Sequence, residues 1–121
     1  MRFLVVDDSI TMRRLIVGAL NQMGFDQVDQ AGNGRDGLAL LEHAPVDLII
    51  TDCTMPGMSG VDFVRTVRQG AATRRIPVLM VSTSASRQDI VNARNAGVTG
   101  YVVKPFTPEL IREKVEALLA R

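Results

Sequence analysis

Residues 48–60 read LIITDCTMPGMSG: a short apolar run, an aspartate beside the only cysteine of the chain, and then a turn through Met55-Pro56-Gly57. Four to eight apolar residues bounded by turn residues are too few for an ordinary helix and suit a strand covered on both faces in a parallel sheet. A strand over 47–51 therefore delivers Asp52 and Cys53 to its carboxyl edge. Successive strand side chains point to opposite faces, so only one of the two can join a cluster on a given side.

Working outward, the same signal recurs. Strands are predicted over 3–6, 27–30, 77–81 and 100–103 as well, and all but the second are largely apolar. Between them the apolar residues switch to helical spacing. Leu15, Ile16, Ala19, Leu20 and Met23 form one such set, with Gly24 placed for a left-handed cap. Leu38 and Leu41 belong to a second helix closed by Pro45, and Val61, Val64 and Val67 to a third. Ile90, Ala93 and Ala96 stop at Gly97, and Leu110, Ile111, Val115, Leu118 and Leu119 follow a Thr107-Pro108 helix start. Five strand-helix units in alternation predict an α/β fold with a parallel sheet, as one domain over residues 1–121.

Composition narrows the function. The 14 basic and 13 acidic side chains give a formal charge of +1, so no broad basic field exists for a nucleic acid backbone or an anionic membrane. One cysteine cannot form an internal disulfide, and Met1-Arg2 leads into FLVV, too short for a signal-peptide core or a membrane span. The expected location is the cytoplasm. The absence of tryptophan weighs against stacking surfaces for bases or flavins.

In an open parallel sheet, ligands bind beyond the carboxyl ends of the strands. There the first strand is followed by Asp7 and Asp8, the third by Asp52, the fourth by Ser82, Thr83 and Ser84, and the fifth by Lys104-Pro105. Taken singly these have structural readings: Asp7, Asp8 or Ser9 suits the cap of helix one, Ser84 or Ser86 that of helix four, and Lys104 a solvated strand end. Together they place three carboxylates, a hydroxyl and an ammonium on one rim. Clustered carboxylates repel, so at least one should resist ionisation and a cation is expected among them. Hard oxygen ligands suit Mg²⁺, whereas the softer Cys53 and His43 lie on separate elements. Lys104 as a point charge and Ser82 as a donor match a phosphoryl group carried on a carboxylate.

The stretches VVDDS, DCTMPGMSG, LMVSTSA and GYVVKPF resemble the receiver domain of bacterial two-component response regulators, over the whole chain. DDSITMRRLI and AGVTGYVVKPFT are most similar to its stand-alone chemotaxis members. The resemblance implies the flavodoxin-like doubly wound (βα)5 sandwich of strand order 2-1-3-4-5, known for those members. It further implies Asp52 as the acceptor of a phosphoryl group from a sensor histidine kinase, with Mg²⁺ held by Asp7, Asp8, Asp52 and the backbone carbonyl of Thr54. Ser82 would hydrogen-bond the phosphoryl oxygens, Lys104 would pair with them, and Tyr101 would follow the movement of Ser82. A cis bond before Pro105 is implied by the resemblance alone.

The family also implies a signalling protein rather than an enzyme acting on other substrates: a monomer whose helix 4–strand 5–helix 5 face controls a downstream protein, with the flagellar motor switch as the leading candidate. Thr54 and Ser84 depart from the best-known chemotaxis members at positions flanking the path of hydrolytic water, which bears on the lifetime of the phosphorylated form. A stand-alone phosphorelay or phosphate-sink receiver is the alternative within the family. A Mg²⁺-dependent aspartyl-phosphate phosphatase is the alternative outside it, although such enzymes carry a D-x-D nucleophile after the first strand. GNGRDG at 32–37 lacks the Lys-Ser/Thr of a phosphate loop and reads as a turn into helix two. Arg13-Arg14 reads as a solvated helix face, His43 as a favourable charge at a helix end, and Cys53 as a small packing residue at the edge of the site.

Overall fold

The computed structural model describes residues 1–120, so Arg121, the last residue of the expected domain, lies outside it. The strands are β1 (Arg2–Val6), β2 (Gln27–Ala31), β3 (Leu48–Asp52), β4 (Val78–Ser82) and β5 (Gly100–Val103). The helices are α1 (Ile10–Gln22), α2 (Gly34–His43), α3 (Gly60–Gln69), α4 (Arg87–Ala96) and α5 (Pro108–Leu119). All strand pairs are parallel, in the order β2-β1-β3-β4-β5. Alternate residues of each strand feed two apolar layers. Phe3, Val5, Leu48, Ile50, Leu79 and Val81 pack under α1 and α5, and Leu4, Val6, Ile49, Val78 and Met80 under α2, α3 and α4. The central strands β3 and β4, so covered, are buried along their length and apolar up to their carboxyl ends; β2, at one sheet edge, is polar and partly exposed.

The helix starts follow local chemistry. The caps are Ser9, Asn33, Ser59, Ser86 and Thr107, each side-chain oxygen accepting an amide of the first turn. Ser9 rather than Asp7 or Asp8, and Ser86 rather than Ser84, take the positions left open above. Gly97 adopts the left-handed conformation (φ 111°) expected after Ala96. The strand ends differ in one way that matters. Asp52 pairs with Val81 and Ser82 with Val103, so both are the last residues of their strands rather than the first of a loop. Ladder hydrogen bonds continue through them, and Cys53 N–H still donates to the Val81 carbonyl (3.1 Å).

Candidate functional site

Each rim residue is fixed by the strand that delivers it. Asp7 follows β1, with its N–H donating to the Ala31 carbonyl (3.0 Å) and its Oδ1 accepting from Ser9 N–H (2.9 Å). Asp52 Oδ1 accepts from Cys53 N–H (2.9 Å) and from Lys104 Nζ (3.0 Å). Lys104 Nζ also lies 3.6 Å from Asp7 Oδ2, and Lys104 N–H donates to the Ser82 carbonyl (2.7 Å). One carboxylate oxygen from each of Asp7, Asp8 and Asp52 lies within 4.8 Å of the others. The expected cluster is thus brought together, with Asp7 and Asp52 buried and Asp8 exposed.

The loop after β3 depends on a residue that sequence reasoning passed over. Gly60 N–H donates to the Cys53 carbonyl (2.8 Å), and a Cβ there would collide with the Asp52 carbonyl oxygen and lie 2.8 Å from Cys53 Cα. Only glycine lets the chain fold back this closely under the strand end. Thr54 is exposed at the mouth of this loop.

Burial holds the Asp7 carboxyl above the usual carboxylate range; the Ser9 amide and Lys104 oppose this, while the charges of Asp52 and Asp8 add to it. Its Oδ2 is buried without a hydrogen-bond partner among the described residues. A hard cation among three carboxylates would satisfy that orphan oxygen and cancel the repulsion, so the donor set fits Mg²⁺. Cys53 falls on the Ile49 side of β3 and packs against the α2–α3–α4 layer. Burial pushes its thiol up, with the adjacent Ser82 hydroxyl partly opposing and the Asp52 and Asp89 charges adding, so it stays protonated at neutral pH and is no rival to Asp52.

Ser82 is buried, and its Oγ accepts from Ser84 N–H (3.1 Å) while retaining its own proton to donate. Tyr101 is half-buried, and its hydroxyl donates to the Ser84 carbonyl (2.9 Å). The Lys104-Pro105 bond is cis, as the resemblance implied. His43 lies in the last turn of α2, away from the cluster. Arg14 is exposed as expected, but Arg13 is not a solvated side chain: it is half-buried, and its Nη1 donates to the Asp7 carbonyl (2.6 Å). Its place one turn into the helix that follows the Asp pair was the available signal.

Comparison with known proteins agrees with this geometry. Residues 3–116 match the family model of the response regulator receiver domain. The chain is 44% identical to the chemotaxis protein CheY of Pseudomonas aeruginosa over 121 residues, covering 100% of this chain and 98% of that protein. It is 39% identical to CheY-3 of Vibrio cholerae, covering 100% and 93%. The solved structure of Vibrio cholerae CheY4 superposes with a TM-score of 0.92 at 36% identity, over 98% of each chain. Sequence family, strand order and rim chemistry therefore converge, and the chain belongs to the response regulator receiver domain family.

Proposed function

We propose that the chain is a phosphorylation-dependent switch that accepts a phosphoryl group on Asp52 from a phosphohistidine of a sensor histidine kinase. The observation that carries this reading is a nearly buried carboxylate, 7% exposed, held 3.0 Å from the Lys104 ammonium beside two further carboxylates, with Ser82 ending the neighbouring strand. An Asp52 oxygen attacks phosphorus, the new O–P bond forms as the N–P bond breaks, and the imidazole nitrogen keeps the electron pair. Phosphoryl transfer asks mainly for positioning and charge stabilisation. Lys104 supplies a cation that shifts from the carboxylate towards the phosphoryl oxygens, and Ser82 donates the proton that Ser84 leaves free. Asp7, Asp8, Asp52 and the Thr54 carbonyl would hold Mg²⁺, which when bound neutralises charge on the transferred group.

The output is a change of the α4–β5–α5 face, led by Ser82 and Tyr101 and read by a partner protein. Likeness to chemotaxis proteins supports a role in chemotaxis, with the flagellar motor switch as the partner. The reading puts the chain in the cytoplasm, as a monomer; no described helix is long and apolar enough to cross a membrane. Acetyl phosphate with Mg²⁺ tests the chemistry. One acid-stable, base-labile phosphoryl group should appear and be absent from Asp52→Asn; modification that survives in that variant would exclude Asp52 as the acceptor.

A further inference from the structure

Among the described residues, Ser84 is the one bonded by both proposed switch hydroxyls. Its N–H donates to Ser82 Oγ (3.1 Å) and its carbonyl accepts from Tyr101 (2.9 Å). Its own hydroxyl faces the other way, donating to Asp89 Oδ2 (2.6 Å) and accepting from Ser86 N–H (3.1 Å). Asp89 N–H closes the ring on Ser86 Oγ (3.1 Å). All the polar groups of Ser84 are thus engaged, and the hydroxyl-to-carboxylate bond is the short, charge-assisted one among them.

A helix cap alone does not account for this contact. Ser86 already caps α4, as Ser9, Asn33, Ser59 and Thr107 cap the other helices. Only at α4, among the described residues, does a side chain that precedes the cap hold a carboxylate of the first turn. Asp89 is also near enough to the site for its charge to be felt at Cys53, next to Asp52. We propose that the Ser84 hydroxyl, through Asp89, is the positioning contact that makes the first turn of α4 follow the Ser82 hydroxyl when Asp52 is phosphorylated. This rests on the phosphorylation reading above and adds the side chain that carries the change from the rim into the helix. Without the contact, the loop and α4 share only the backbone and the local Ser86 cap, and the helix is free to keep its resting position.

The probe is beryllofluoride with Mg²⁺ on the intact protein. Tyr101 is the sole tyrosine and tryptophan is absent, so intrinsic emission reports one side chain; amide exchange over α4 reports the helix. In wild type both signals change on adduct formation. Ser84→Ala should form the adduct and keep the Tyr101 response, whose acceptor is a backbone carbonyl. Its α4 response should fall by roughly fivefold or more, the lower end of ordinary coupling between sites. Asp89→Ala should give the same loss, and Ser84→Thr should restore the response, which a purely structural role would not predict. An α4 response in both alanine variants equal to that of wild type overturns the inference and leaves the phosphorylation reading standing. A wild-type protein that forms no adduct overturns both.

Discussion

Replacing Asp7 by asparagine should make the metal-free protein more stable, although it alters a buried residue at the centre of the site. Asp7 is 0% exposed, and asparagine keeps the oxygen that accepts from Ser9 N–H. What it loses is attraction to Lys104 at 3.6 Å, about 4.6 kcal/mol at an effective dielectric of about 20. What it escapes is repulsion from Asp52 at no more than 4.8 Å, which is at least about 3.5 kcal/mol on the same scale, and a screened share from exposed Asp8. These nearly cancel, so desolvation of the carboxylate, the largest influence on its ionisation, decides the sign. The asparagine NH2 takes the place of the unpartnered Oδ2, and exchanging a buried, unsatisfied charged oxygen for a neutral donor beside the Asp52 carboxylate is worth about 1 kcal/mol or somewhat more. Urea unfolding in EDTA near neutral pH is the assay. Because the Asp7 carboxyl titrates above 3.8 in the fold, the wild type regains stability as pH falls through that raised range, and the variant's advantage should be gone below 3.8. Saturating Mg²⁺ should reverse the ranking, stabilising wild type by about 2.7 kcal/mol at a hundredfold excess over its dissociation constant. A variant less stable than wild type in EDTA would refute the balance drawn here.

Two further perturbations separate counter-charge from geometry. Lys104→Met leaves the buried Asp7 and Asp52 carboxylates unpaired and should cost about 3 kcal/mol in EDTA at neutral pH, less in acid; denaturant curves that match wild type would exclude the ion pair as a stabilising contact. Gly60→Ala drives a methyl into the Asp52 carbonyl, so its rate of phosphorylation by acetyl phosphate should fall further than its stability. Gly37→Ala, whose Cβ would meet Val6 at 3.0 Å and Phe63 at 3.2 Å away from the rim, is the control expected to lose stability alone.

The legibility of the sequence follows the range of the interactions involved. Strand and helix positions are set by neighbours a few residues apart: the strand bounds agree to within a residue, while the caps of α1 and α4 stayed open between adjacent polar residues and those at Asn33 and Ser59 were not read at all. The rim cluster was also legible, because a parallel sheet sends every strand's carboxyl end to one edge. What stayed hidden depends on distant backbone. Arg68 donates to the carbonyls of Gly97, Arg74 and Ile76 at 2.7–3.0 Å, partners without a side-chain signature. Gly60 is required by a carbonyl that only the folded loop brings near, and Arg13 looked solvated because its partner is the Asp7 backbone. The cis bond at Pro105 was legible from family resemblance and from nothing in its own neighbourhood.

On the proposed reading α4 responds to phosphorylation, and its packing suits it to that role. Its fully buried residues are Ala93 and Ala96, whereas α3 buries Phe63, Val64 and Val67. At about 0.8 kcal/mol per buried CH₂, two alanine methyls anchor a helix far less than a phenylalanine and two valines. Low apolar burial marks elements that open or shift at small cost. The carboxyl end of α4 is nevertheless fastened, since Arg68 Nε and Nη2 both donate to the Gly97 carbonyl at 3.0 and 2.7 Å. Among the described residues, the side-chain hydrogen bonds that tie the amino end to the preceding loop are those of Ser86 and the Ser84–Asp89 contact, next to the groups expected to respond to a phosphoryl charge. A helix weakly held along its length, pinned at one end and coupled to the rim at the other has a built-in pivot. Local contacts worth a few kcal/mol are then sufficient to shift it between two positions.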